Sequence, residues 1–81
     1  MMQEEVLISL ACMDTGCSGV VYDIQGGYGI MSTLKSLGIT PGKRITRITP
    51  LLIEGPITIE MDKVQVVIGF SMASRITVKF D

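Results

Sequence analysis

Histidine and tryptophan are missing from this chain of 81 residues, and only two cysteines, three prolines and four aromatic residues occur. Without an imidazole, the commonest general base and a preferred ferrous-iron ligand is unavailable. No serine lies in the G-x-S-x-G pattern of a nucleophile elbow. The acids Glu4, Glu5, Asp14, Asp23, Glu54, Glu60, Asp62 and Asp81 fall mostly at strand ends or on polar faces. Such positions lack the water-poor concavity that tunes a catalytic carboxyl. These absences predict that the protein is not an enzyme.

Charge is equally uninformative for a nucleic-acid partner. Seven Lys and Arg stand against eight Asp and Glu, and the sequence pI is about 5.2. Phosphate neutralisation needs a basic face, and base stacking needs aromatics. Only Tyr22, Tyr28, Phe70 and Phe80 are present, so the sequence predicts no nucleic-acid binding, with Lys43, Arg44 and Arg47 as the one local basic patch. The same aromatic poverty leaves little for a polyproline groove. The densest apolar stretch runs from Val64 to Phe70, far short of the ~20 residues that span a bilayer. No basic start with an apolar core and a small-residue cleavage site is found, which predicts a cytoplasmic protein without membrane insertion. Cys12 and Cys17 form a lone C-x4-C pair, which falls short of the four ligands of structural zinc and reads as reduced thiols. The six methionines are scattered and read as packing residues. Gly26-Gly27-Tyr28-Gly29 precedes a helix but lacks the P-loop pattern, so a loop with unusual backbone angles is expected.

What is present is apolar and strand-rich. Hydrophobic residues make up 47% of the chain and mean hydropathy is +0.48. A single domain over 1–81 is expected, near the lower size limit for one hydrophobic core. Val6–Ala11 is a strand or a helical turn, since periodicity cannot decide over so few residues. Val20–Ile24, Lys43–Pro50, Ile57–Met61, Val64–Ile68 and Arg75–Phe80 have strand character, and Asp62-Lys63 reads as a tight hairpin turn. Gly69–Ser74 reads as a short corner. Ile30, Met31, Leu34 and Leu37 recur at helical offsets, predicting a helix over 29–37. Gly38 then suits a helix stop, and Pro41-Gly42 suits a type II turn. The resulting expectation is mainly β: a small SH3-like barrel of about five strands with one short helix, closed so as to remove its edges.

With these elements placed, the chain resembles the FeoA family, small proteins associated with ferrous-iron uptake. Leu34-x-x-Leu37-Gly38-Ile39-x-Pro41-Gly42 is close to that family's Leu-Gly-Ile/Leu-x-Pro-Gly signature. Gly16–Val20 resembles its Gly-x-x-Gly-x-Val segment. Gly26-Gly27, Pro50, Gly55-Pro56-Ile57 and Ala73 with Ile76 and Val78 match further points. One departure is Ser32-Thr33, where the family often carries arginine ahead of the helix leucine.

The resemblance implies an SH3-like fold, shared with the C-terminal module of DtxR-type repressors. It also implies a non-enzymatic, accessory role beside FeoB, the membrane iron transporter with a GTPase domain. Partner-binding candidates are Tyr28, Met31 and Lys35 on the helix with Leu51, Leu52 and Ile53 on a connection. Their apolar members have the competing reading of core or its lid. Lys35, Lys43 and Arg44 would steer toward an acidic surface. No cofactor is expected. The alternative is a metal-binding or metal-sensing domain, with weak Fe²⁺ or other divalent metal held by Cys12 and Cys17 or by surface carboxylates. A homo-oligomer also fits the apolar fraction.

Overall fold

The computed structural model describes residues 6–49 and 55–80. Strands β1 (Leu7–Ser9), β2 (Ser18–Ile24), β3 (Arg44–Arg47), β4 (Ile57–Met61), β5 (Val64–Ile68) and β6 (Ile76–Lys79) form one six-stranded sheet. Every described pairing is antiparallel, in the order β1-β6-β2-β3-β4-β5. This is the expected mainly β, SH3-like small fold with its helix, α1 (Tyr28–Ser36). It has six strands where about five were expected, and the ladder is not closed: β1 and β5 remain as its two edges among the described residues.

The ambiguous first segment is both things at once. Leu7–Ser9 pairs with β6, then Leu10–Cys12 turns into a 3₁₀ helix whose start is capped by the Ser9 hydroxyl accepting from Ala11 N–H. The corner at Gly69–Ser74 is a single helical turn, α2 (Phe70–Ala73). The Asp62-Lys63 turn has positive φ at both residues, 49° and 68°, the type I′ geometry whose twist matches a hairpin.

Inward positions follow strand alternation. Ile45 on β3, Ile57 and Ile59 on β4, and Ile76 and Val78 on β6 are buried, together with Leu10, Met13, Leu34 and Ile39. Gly19 is required by close approach: a Cβ there would lie 2.4 Å from Val78 Cγ1 and 2.8 Å from Lys79 O, so only glycine lets β2 meet β6 at that point.

One inward position on β3 holds a cation. Arg47 is buried, where the sequence reading had placed it on a basic surface patch. The correction has a simple cause: Ile45 faces the core, and two residues later the chain faces it again. Arg47 Nη1 donates to the carbonyls of Leu10 (3.1 Å) and Ala11 (2.9 Å), and Nε donates to Thr49 O (2.9 Å). Its main chain accepts from Gly16 N–H at 2.7 Å and donates to Cys17 O at 3.0 Å. Arg47 therefore fastens the 3₁₀ turn and the start of β2 to β3. Replacing it by methionine keeps the volume but takes the guanidinium donor from Ala11 O, at about 1–3 kcal/mol when unmet, while Leu10 O keeps Met13 N–H (3.2 Å) and Thr49 O keeps the Thr15 hydroxyl (3.0 Å). Urea unfolding of Arg47→Met is expected to show a loss of about 1–3 kcal/mol, a sizeable share of a small domain's stability; an unchanged or raised midpoint would contradict this assignment.

Candidate functional site

The helix α1 spans Tyr28–Ser36, one residue offset from the expected 29–37. It carries two stripes. Ile30 and Leu34 turn inward, with Leu34 fully buried. Tyr28, Met31, Ser32 and Lys35, at offsets of three, four and seven, lie along a second face and line a groove. The opposite wall is Ile39–Pro41 and the floor includes Ile24; the open groove has a volume of about 510 Å³.

Local features place each wall. The far wall depends on how α1 ends. Gly38 adopts φ +90°, Gly38 N–H donates to Lys35 O (3.0 Å) and Ile39 N–H donates to Leu34 O (2.9 Å). These two bonds make a Schellman motif, and its apolar clasp is Leu34 against Ile39, both fully buried. The chain thus reverses immediately and runs back beside the helix. Lys43 N–H to Thr40 O at 3.0 Å then closes the turn expected at Pro41-Gly42. The floor depends on a β-bulge. The β2–β6 register shifts between Val21 and Asp23, leaving Tyr22 unpaired. The inward set therefore switches parity, so that Val21 and Ile24 are both buried.

The groove is mostly apolar, and its charged member is Lys35. Tyr28 is 88% exposed and Met31 is 46% exposed, although both carry large hydrophobic side chains. Three of the six partner-binding candidates, Tyr28, Met31 and Lys35, thus line one groove. Leu51, Leu52 and Ile53 lie outside the described residues. Sequence reasoning missed Ile24, Ser32, Ile39, Thr40 and Pro41 as members of the same surface. A signal for Ser32 was present in the 28-31-32-35 spacing; none marked Ile24, which depends on the bulge.

The remaining candidates are elsewhere. Lys43 forms a surface ion pair with Asp62, a contact of small energetic weight because the Asp62 side chain is 76% exposed. Arg44 is exposed on β3. Cys12 is exposed and Cys17 half-buried, and both are free thiols. Among the described residues no group of three or more Cys, Asp or Glu comes together as a metal site would require. No described helix is long and apolar enough to cross a membrane.

Comparison with known proteins follows the same lines. The model of the FeoA domain matches residues 8–80. A crystal structure of an iron uptake regulatory protein (FeoA) superposes with TM-score 0.82 at 34% identity, covering 93% of this chain and 99% of that one. The solution structure of a FeoA protein from Chlorobium tepidum gives TM-score 0.79 at 18% identity, over 90% of this chain and 70% of the other. A manganese-dependent transcriptional repressor gives TM-score 0.83 at 22% identity; 94% of this chain aligns with 42% of the repressor, which is a likeness of fold. No curated protein matches the sequence.

Because the far wall is set by Gly38, substitution there acts on the groove without touching its lining. An L-residue at φ +90° costs about 1–2 kcal/mol. Gly38→Ala is expected to lower the urea midpoint accordingly and to weaken hydrogen-exchange protection of the Ile39 amide. An unchanged midpoint with full Ile39 protection would show that the cap does not set this wall.

Proposed function

This chain belongs to the FeoA domain family, and from that premise we propose that it is a non-enzymatic accessory module of ferrous-iron transport that binds the transporter FeoB through the groove beside α1. In this reading no cofactor takes part, and the protein works in the cytoplasm on the transporter's soluble face. The observation that carries the reading is Tyr28. A tyrosine residue 88% exposed to solvent, next to a half-exposed methionine and an apolar recess, loses water-exposed area only when something covers it. An exposed tyrosine lining such a surface is a typical anchor of binding energy. Met31 adds a flexible thioether that adapts to a partner's shape. Lys35 at the rim of a groove lined by no acid favours an acidic partner surface and raises the encounter rate.

The reading is tested by calorimetric titration of the protein into detergent-solubilised FeoB. Tyr28→Ser and Met31→Asp are each expected to weaken binding about tenfold or more, because Tyr28 is exposed, Met31 is half-exposed and neither belongs to the buried core. The Lys35→Glu variant is expected to slow association, with the effect shrinking as salt rises. A Cys12→Ser/Cys17→Ser double variant is expected to bind like the wild type. Absence of binding, or Tyr28→Ser binding as tightly as the parent, would refute the proposal.

A further inference from the structure

The two sheet edges are unequal. β1 has three residues, whereas β5 has five, Val64-Gln65-Val66-Val67-Ile68, with no charge, no proline and no bulge. Those are the devices by which edge strands are normally kept from pairing. The register Met61↔Val64, Ile59↔Val66 and Ile57↔Ile68 spends the main-chain groups of Val64, Val66 and Ile68 on β4, because a two-residue I′ turn makes its flanking pair a hydrogen-bonded one. The N–H and C=O groups of Gln65 and Val67 consequently point away from the sheet. Side chains along the strand are open as well: Val64 is 60% and Val67 62% exposed.

We propose that the outer edge of β5 is a self-association site, where β5 of a second copy adds antiparallel about a twofold axis at Val66. This interaction is separate from the groove beside α1. The identical strand fits for three reasons. In that register Gln65 faces Val67 of the other copy and Val67 faces Gln65, so the outward groups of both residues are satisfied reciprocally. Val66 meets its own copy, and Val64 meets Ile68, so every cross-strand pair is apolar or neutral and no like charges are opposed. The nearest acid on the neighbouring strand, Glu60, would stand roughly three strand spacings, about 14 Å, from its counterpart, beyond the Debye length of about 8 Å at physiological salt. The sheet would then run through twelve strands across the two copies, six from each.

Sedimentation velocity of the wild-type protein from about 1 μM to about 1 mM should show the mass rising from one chain to two. Hydrogen exchange at the Gln65 and Val67 amides should slow as concentration rises, while the Val66 amide, already bonded to β4, should not change. Val67→Lys places a charge on the edge without entering the core and is expected to raise the dissociation constant at least tenfold. Val67→Pro removes an N–H that the monomer does not use, and is expected to do the same. Unchanged far-UV circular dichroism confirms that both variants fold; Val67→Lys alone suffices should the proline variant not fold. A wild type that stays a single chain throughout, a dimer that survives Val67→Lys, or a dimer abolished by Tyr28→Ser instead, would each overturn the proposal.

Discussion

The guanidinium of Arg47, shut away from solvent, donates to the carbonyls of Leu10, Ala11 and Thr49 while its own main chain bonds Gly16 and Cys17. Removing such a cation from water costs several kcal/mol, and the cost is offset only when its donors meet acceptors in good geometry. The 3₁₀ turn supplies two of these acceptors: Leu10 O, which also accepts from Met13 N–H at 3.2 Å, and Ala11 O. The arginine thereby finds acceptors in the interior, and the turn is tied to β3 through them. The planar fork reaches carbonyls on two segments at once, which a lysine ammonium on its flexible stem does less well. Through this contact Leu10 and Met13 are delivered to the core, and β2 starts in register with β3.

Much of the fold was legible. The helix, its stop at Gly38, the Pro41-Gly42 turn and the Asp62-Lys63 hairpin each follow from a local rule about backbone angles or periodicity, and each stands where expected. Strand alternation likewise placed Ile57, Ile59, Ile76 and Val78 inward. What escaped is non-local or contrary to residue type. Nothing local in Val20–Ile24 announces a bulge at Tyr22; it arises from how β2 meets β6. The turn at Phe70–Ala73 is too short for periodicity to register. Arg47 carries the clearest lesson: its parity with Ile45 pointed inward, but its charge pointed outward, and parity prevailed because acceptors were waiting. The groove was half visible. Tyr28, Met31 and Lys35 stand out on the helix, whereas the wall of Ile39–Pro41 is brought beside them only by the Schellman reversal.

The family assignment gives these features their setting. The same fold occurs in FeoA proteins and in a much longer manganese-dependent repressor, of which it matches 42%. One architecture thus serves alone or as part of a larger chain, so its function resides in surface chemistry and not in the fold itself. For this chain the distinctive surface is the open face of α1, where Tyr28 and Met31 stand out of a recess bordered by Lys35. Family membership supports a place in ferrous-iron transport.

Amide chemical-shift mapping of the isotope-labelled protein, titrated with the soluble GTPase domain of FeoB, tests that claim most directly. The account predicts that the largest changes fall on Tyr28, Met31, Ser32, Lys35, Ile39 and Thr40, a set discontinuous in sequence and joined only by the groove. Changes centred on Cys12 and Cys17, or a spectrum that does not respond at saturating partner, would contradict it.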